Sequence, residues 1–351
     1  MFVIRFQGVS PEKFTHVQFP PMFMVNGIGR AEPFCYTPSM RFLILSAATF
    51  LIASSSAQAQ GGRAPFTVVE TGAGYGRLQQ AVDAIGGGSG TVEVAPGTYR
   101  DCAVQNGGAV RYRAATPGTA LFSGGICEGK AALVLNGRSA RVEGLIFEHM
   151  AVADGNGAGI RLETGDLVID NSVFRDSQQG VLTATFPTGS VTISRSTFSG
   201  LGRCDNGQDC AHSAYIGAYG SLTVTRSRFE SGAGGHYLKS RARTVRIVDN
   251  SFDDSHGHET NYMIDLPNGA TGEISGNEMV QGESKDNYST FIALAAEGAK
   301  QSSNGLSISG NGAHFVPGLE RRSNLLADWT HDRVTVGAND LSPGIAVRVQ
   351  R

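Results

Sequence analysis

The amino-acid sequence predicts an all-β solenoid, in which short strands wind into coils that stack on one another. The first reason is a repeated template: a β-branched residue, a polar residue three positions later, and a large apolar residue five positions later. The first and last residues of the template are Val142/Phe147, Ile169/Phe174, Ile193/Phe198, Val224/Phe229, Ile247/Phe252, Ile274/Met279, Ile308/Ala313 and Val336/Leu341. Strand-like alternation with a period of this length is typical of stacked coils.

The second reason is the polar position of the template, which is serine or asparagine in seven successive repeats. These residues are Ser172, Ser196, Ser227, Asn250, Asn277, Asn311 and Asn339. Asparagine tolerates a left-handed backbone and hydrogen-bonds nearby peptide groups, which suits a tight bend between two strands. Identical side chains in stacked coils can also form a hydrogen-bonded ladder.

A second strand is expected before each template strand, marked by an apolar residue that points inward. The marker residues are Ile160, Leu182, Ile216, Leu238, Ile264, Ile292 and Leu326. Upstream of the repeats, residues 78–85 have helical spacing and end at three glycines, and residues 91–99 alternate like a strand with a turn. The helix is expected to cover the open first coil, as solenoid ends require.

With this capping helix, the Pro-Gly-Thr-Tyr turn and the ladder, the sequence resembles the right-handed parallel β-helix of the pectate-lyase type. The resemblance spans roughly residues 65–345 and implies about ten coils. A β-propeller is the alternative architecture, but each of its blades needs four strands in about 40–45 residues. A parallel β-helix is therefore the predicted fold.

The N-terminal region predicts export. Residues 40–59 contain one positive charge, an apolar run and Ala57-Gln58-Ala59, which is the form of a signal peptide cleaved after Ala59. Residues 1–39 show no periodicity, and we interpret them as preceding the true start at Met40 or as a disordered extension. The mature protein is expected to be a single β-helix domain, residues 60–351, that is secreted or periplasmic and has no transmembrane segment.

Cysteine usage agrees with export. Four cysteines follow the signal peptide, and an even number in an exported chain predicts disulfides. Cys102 and Cys127 are separated by about one coil, and Cys204 and Cys210 can close a small loop. A zinc site is less favoured because the sequence has no CxxC pair.

One stretch, residues 232–265, combines histidines, cations and carboxylates. If Leu238 and Ile264 point inward, strand alternation points their neighbours outward. The outward set is then Tyr237, Lys239, Arg241, Met263 and Asp265, extended by Tyr215 and Phe291 on other coils. Lys239 would lie beside Asp265 at the spacing of adjacent strands, about 4.8 Å. The result is either an aromatic-edged groove suited to a polymer or a surface ion pair of little energetic value.

Lys239-Ser240, followed by Val245, Asn250 and Phe252, resembles the β-helical alginate lyase and chondroitinase B family. The resemblance implies that Lys239 is the catalytic base, assisted by an arginine one coil later. This chain has Asp265 in that coil, so Arg241 would have to serve.

The residue types also suit β-elimination on a uronate polymer. Arginine can hold the substrate carboxylate with its bidentate fork, and a lysine can remove the C5 proton if nearby cations lower its pKa. His236 and Tyr237 are further candidate proton carriers, and Asp265 completes the catalytic set. Candidate substrate-binding residues are Tyr215, Arg243, His212 and Arg161.

A second polar cluster follows in residues 253–259. Histidines two positions apart on an extended segment face the same way and could hold a metal with a nearby glutamate, and hard carboxylate oxygens would suit Ca²⁺. The candidate ligands are Asp253, Asp254, His256, His258 and Glu259. The alternative is a solvated turn without a metal. Ca²⁺ is the one candidate cofactor.

These observations lead to one main functional hypothesis and two alternatives. The main hypothesis is a polysaccharide lyase that acts on an acidic polymer. The first alternative is a glycoside hydrolase that uses Asp265 with Asp253 or Asp254, and the second is a binding scaffold without catalysis. A net charge of -2 gives no reason to expect a nucleic acid partner, and the protein is expected to act as a monomer.

Overall fold

Three long sheets run side by side because each coil of the chain contributes one strand to each of them. In the computed structural model, which describes residues 64–204 and 210–351, two sheets have ten parallel strands and the third has ten parallel strands plus two antiparallel ones at its start. The predicted β-helix of about ten coils is confirmed. The predicted signal peptide and residues 1–39 lie outside the described residues.

Sheet A carries the first strand of each template. In chain order its strands are Phe66–Val68, Ala73–Tyr75, Ser89–Val94, Ala109–Ala114, Ser139–Glu143, Asp166–Asp170, Phe186–Ser194, Tyr219–Thr225, Thr244–Val248, Thr271–Ser275, Ser307–Ser309 and Thr335–Val336. The register joins equivalent template residues, so that Ile169 pairs with Ile193 and Val224 pairs with Ile247.

Sheet B begins after the bend in each coil. Its strands are Gly97–Tyr99, Ala120–Ser123, Leu145–Glu148, Val173–Arg175, Thr197–Ser199, Arg228–Glu230, Ser251–Asp253, Glu278–Gln281, Gly312–Phe315 and Asp340–Leu341. Sheet C closes each coil. Its strands are Ala103–Gln105, Ala131–Leu135, Ala158–Leu162, Gln179–Thr183, Ala214–Ile216, Leu238–Ser240, Ile264–Leu266, Ile292–Leu294, Ser323–Asp328 and Ile345–Gln350.

The predicted helix spans Leu78–Ile85, as the spacing indicates, and it covers the first coil. Leu78, Ala81 and Val82 are buried, and the helix packs against the strands Phe66–Val68 and Ala103–Gln105. The helix ends at Gly86, whose φ of 57° lies in the left-handed region that favours glycine. The helix therefore shields apolar side chains that would otherwise face water at the end of the stack.

The predicted polar ladder runs through the core between sheets A and B. The backbone N–H of Asn250 donates to Oδ1 of Asn277 at 3.0 Å, and the backbone N–H of Asn277 donates to Oδ1 of Asn311 at 3.1 Å. The amide group of Asn277 also donates to the carbonyl of Ile247 at 2.9 Å. The serines continue the ladder in earlier coils, where Ser196 accepts from the N–H of Ser172. Buried bends are thereby supplied with hydrogen-bond partners.

The left-handed backbone at this bend lies one residue earlier than the sequence suggests. The residues with positive φ immediately precede the ladder position in seven coils: Gly144, Asn171, Arg195, Arg226, Asp249, Gly276 and Gly310. The ladder side chain is thus free to reach the adjacent coils, while the preceding residue makes the turn. The ladder asparagines therefore contribute hydrogen bonds, and they do not themselves adopt the left-handed backbone.

The apolar position at the end of the template forms a continuous column in the core. Phe122, Phe147, Phe174, Phe198, Phe229 and Phe252 stack with ring centroids 4.7 to 5.5 Å apart. Sheet C faces this column with the predicted marker residues, with one correction. Val181 and not Leu182 points inward, because Val181 pairs with Ile160 while Leu182 pairs with the outward Arg161. Burial of these rings, together with the aliphatic residues around them, stabilises the fold.

Both predicted disulfides are present. Cys102 bonds to Cys127, and Cys204 bonds to Cys210. Disulfides persist in oxidising compartments, which is consistent with an exported protein. Within residues 64–204 and 210–351, no helix has the length and apolar character needed to cross a membrane.

Candidate functional site

The outward face of sheet C carries the charged site. Leu238 and Ile264 are fully buried and pair with each other. The next residues of the two strands, Lys239 and Asp265, also pair, as the sequence predicts. On the other side Lys239 pairs with Tyr215 of the preceding coil. Three consecutive coils thus place an aromatic ring, an amine and a carboxylate in one row.

A groove of about 710 Å³ opens above this row. It is mostly polar, and its lining residues are Asp154, Asn156, Gln179, Leu182, Cys210, His212, Tyr215, Gly235, His236, Lys239, Arg241, Asn261 and Glu297. Besides Tyr215, four of the residues predicted from the sequence line this groove, namely His212, His236, Lys239 and Arg241. A polar lining of this kind suits ligands that bind through many hydroxyl and carboxylate groups.

Two cations and two carboxylates form a network in the groove. Nζ of Lys239 is 3.4 Å from Oδ2 of Asp265 and 2.6 Å from Oε1 of Glu297. Nη2 of Arg241 contacts Oε2 of the same Glu297 at 2.6 Å, and its Nε donates to the hydroxyl of Tyr215 at 2.7 Å. A single carboxylate therefore bridges both cations, with charge-assisted hydrogen bonds on each oxygen.

Backbone hydrogen bonds fix the tautomers of two histidines beside the network. Nδ1 of His236 accepts from the N–H of Tyr262 at 3.2 Å, and Nδ1 of His212 accepts from the N–H of His236 at 3.0 Å. Each neutral ring consequently keeps its proton on Nε2. Nε2 of His236 faces Oδ2 of Asp265 at 3.3 Å, while His212 lines the groove.

Burial sets the protonation of these groups. It lowers the pKa of His212 to about 3, helped by the nearby charge of Lys239, and lowers the pKa of His236 well below its usual value. Burial also raises the pKa of Asp265 to about 6, against the opposing attraction of Lys239. Oδ1 of Asp265 is buried and has no hydrogen-bond partner among the described residues. Both imidazoles are therefore neutral donors at neutral pH.

The depressed pKa of His212 predicts a loss of stability in mild acid. In the unfolded chain His212 binds a proton below its ordinary pKa of about 6.5. In the folded protein it stays neutral until the pH falls to about 3. The contribution of neutral His212 to the free energy of unfolding is thus complete above pH 6.5. It falls by roughly 1 kcal/mol for each pH unit below that value. Asp265 acts in the opposite direction, because its raised pKa makes the folded protein bind a proton first.

Comparison with His212→Gln isolates this effect. Glutamine can still accept the N–H of His236 but does not titrate, so the variant should lose less stability between pH 6.5 and pH 5 than the wild type. Urea unfolding at several pH values measures the difference. Equal pH slopes for the two proteins would contradict a neutral, buried His212.

Three residues expected to face outward are buried in the core. Tyr237, Met263 and Phe291 each lie one residue before a strand of sheet C, at the corner where strand alternation does not apply. The hydroxyl of Tyr237 donates to Oδ1 of Asp254 at 2.7 Å and accepts from the N–H of Gly232 at 3.0 Å. The predicted outward position of Tyr237 is therefore wrong, and Tyr237 does not line the groove.

The predicted metal cluster is not assembled. Asp254 is fully buried, where it accepts from Thr260 at 2.6 Å and pairs with Nζ of Lys285 at 3.3 Å. Asp253 pairs instead with Arg228 on the surface. In the part of the chain that the structure describes, no three His, Cys, Asp or Glu side chains are grouped to hold a metal ion. The predicted grouping of Asp253, Asp254, His256, His258 and Glu259 around a metal ion is therefore wrong.

The remaining predicted binding residues lie outside the groove. Arg161 is in the same outward row, three coils before Lys239, and pairs with Glu163 at 3.0 Å. Arg243 is exposed beyond the end of its strand. Conversely, Glu297 was not identified from the sequence. The one available signal was the longest interval between templates, from Ile274 to Ile308, which contains it.

Comparison with known proteins identifies the fold. The family model described as right-handed beta helix region matches residues 131–316, more than half of the chain. No curated protein matches the chain. A solved structure of the Streptococcus pneumoniae surface protein and adhesin PfbA is similar, with 12% identity over 78% of this chain and 94% of that chain and a TM-score of 0.46.

Proposed function

We propose that this chain, which belongs to the right-handed β-helix family, is an exported polysaccharide lyase that cleaves a uronate-containing polymer by β-elimination. The main support is the pair of cations, Lys239 and Arg241, each 2.6 Å from a carboxylate oxygen in an open groove. Such a pair can hold a carboxylate while presenting an amine beside it. The two disulfides support export.

In the proposed mechanism Arg241 binds the carboxylate of a uronate unit through its planar fork, which is oriented by the hydroxyl of Tyr215 and by Oδ1 of Asn268 at 2.8 Å. Lys239, held between Asp265 and Tyr215, is placed to take the C5 proton, and as a base it must first release one of its own protons to solvent. The C5 electron pair then forms the C4–C5 double bond, and the C4–O bond breaks. The departing oxygen takes a proton from the ammonium of Lys239 or from water.

The histidines and Asp265 have supporting roles. His212 presents its Nε2–H to the groove and can donate a hydrogen bond to charge that develops on the substrate. Asp265 is a positioning residue, because it contacts both Lys239 and His236 but lies beneath the groove. Preorganised donors of this kind stabilise a transition state without having to reorient.

The structure does not favour the hydrolase alternative. That hypothesis needs Asp253 or Asp254 beside Asp265 in the groove, yet Asp253 ends a strand of sheet B and Asp254 is buried with Lys285. Neither lines the groove. The non-catalytic scaffold is left as an outcome of the experiment that follows.

Incubation of the purified protein with alginate, pectate and glycosaminoglycans, with and without Ca²⁺, tests the proposal. We expect the ultraviolet absorbance of an unsaturated uronate to rise with at least one polymer. New reducing ends without this absorbance would indicate hydrolysis instead, and binding without cleavage would indicate a scaffold. If none of these polymers yields unsaturated product with folded protein, the lyase proposal is contradicted.

A further inference from the structure

Glu297 covers both cations of the groove. Its two oxygens lie 2.6 Å from Nζ of Lys239 and from Nη2 of Arg241, so that each oxygen contacts one of the two cations. The side chain of Glu297 is 42% exposed, whereas that of Lys239 is 11% exposed. The carboxylate therefore approaches the cations from the solvent side, which is also the side from which a ligand must arrive.

The backbone that carries Glu297 is firmly attached to the coil below. The N–H of Ala295 donates to the carbonyl of Leu266 at 2.8 Å, and that of Glu297 donates to the carbonyl of Pro267 at 3.0 Å. The side-chain amide of Gln301 donates to the carbonyl of Gly269 at 2.6 Å. Rotation of the Glu297 side chain alone would expose both cations, and no movement of the loop is needed.

The charges of the network balance when Glu297 is in place. Lys239 and Arg241 are positive, while Asp265 and Glu297 supply two carboxylates. Hydrogen bonds from Lys239 and Arg241 outweigh burial and lower the pKa of Glu297, so it is ionised at neutral pH. A ligand carboxylate that replaces Glu297 keeps this balance. A neutral sugar would leave two partly buried cations facing Asp265 alone, which is unfavourable.

We propose that Glu297 occupies, in the free protein, the subsite for a uronate carboxylate, and that its displacement makes the groove selective for acidic over neutral sugars. The inference rests on the proposed function, since it assigns the substrate carboxylate to the contacts that Lys239 and Arg241 now make with Glu297. Glu297 is thus a specificity-determining residue and an internal competitor of the substrate.

Calorimetric titration of Glu297→Gln tests this role. The ligands are hexasaccharides of galacturonate, of mannuronate and of chondroitin, each also prepared with its carboxyl groups reduced to alcohols. KM replaces Kd for any ligand that is cleaved. The matched control is Glu273→Gln, which removes the same charge from an exposed pair with Arg246 on sheet A. Thermal unfolding confirms that both variants are folded.

We expect Glu297→Gln to bind a carboxylated hexasaccharide about fivefold to tenfold more tightly than wild type, because an occupied subsite lowers apparent affinity. Glu273→Gln should bind like wild type, and the reduced hexasaccharides should gain little. Unchanged or weaker binding by Glu297→Gln to a uronate that wild type binds would overturn this inference alone. An equal gain for reduced ligands would also overturn it. If no carboxylated hexasaccharide binds either protein, the proposed function fails together with it.

Discussion

Replacement of Lys239 by alanine is expected to reduce kcat on the cleaved polymer by about 10²–10⁴-fold, the usual contribution of a general base. The amine is the basic group that the register of sheet C places between Tyr215 and Asp265 in the groove. The fold should persist, because a buried Asp265 with a raised pKa can take up a proton once its cationic partner is gone. Steady-state kinetics from the unsaturated product measure the loss.

Two comparisons separate proton transfer from charge. Lys239→Arg retains the positive charge, but a guanidinium does not deprotonate in proteins, so this variant should be nearly as inactive as Lys239→Ala. Lys300→Ala removes an exposed lysine after Glu297 and should leave kcat unchanged. Substantial activity in Lys239→Arg would show that the amine acts by charge and that another group removes the proton.

The largest effect on stability is expected from Asn277→Ala, which should lower the free energy of unfolding by about 3–4 kcal/mol. Asn277 is fully buried and accepts both the backbone N–H and the side-chain amide of Asn250, at 3.0 and 2.9 Å. Its own amide donates to the carbonyl of Ile247 and to Oδ1 of Asn311, each at 2.9 Å. Alanine would leave all four groups without this partner in the core.

Asn277→Ser provides the matched control, because serine occupies the same position in three other coils. In two of those coils the serine hydroxyl accepts the N–H of the ladder residue in the preceding coil: Ser196 accepts from Ser172, and Ser227 accepts from Ser196. Serine should therefore retain part of the stability lost in the alanine variant, and denaturant unfolding of the three proteins gives the ranking. Equal stability of Asn277→Ala and wild type would show that the ladder adds nothing to folding.

The coil itself could be predicted from the sequence because each stacked coil must bury the same kinds of side chain at the same positions. An inward β-branched residue, a buried polar bend and an inward aromatic ring recur, and this recurrence is sufficient to predict the register of Lys239 against Asp265. The capping helix followed in the same way, from the spacing of Leu78, Ala81 and Val82. Local rules were sufficient for most residues in strands and in the helix, although they exchanged Leu182 with the inward Val181 in the strand Gln179–Thr183.

The groove was only partly predictable because its remaining parts come from connections. Alternation placed Tyr237 outward, although the strand begins at Leu238 and the preceding corner turns the ring inward. The sequence predicts Asp254 as a candidate metal ligand in a polar segment, yet hydrogen bonds from Tyr237 and Thr260 hold its carboxylate in the core. Glu297 reaches Lys239 across 58 positions of sequence. Contacts of that kind depend on the path of a loop, which no periodic pattern encodes.

The constant bend between sheets A and B has an evolutionary consequence. In the coils that carry the template, from Val142 onward, the bend position follows the inward sheet A residue by three positions, so length variation among these coils is confined to the two connections that flank sheet C. One long connection runs from Ser199 to Ala214 and bears His212, and another runs from Leu294 to Ser307 and bears Glu297. Mutation can therefore lengthen or exchange these connections while the ladder and the aromatic column are inherited intact. The scaffold is modular, and new ligand preferences can arise without a new fold.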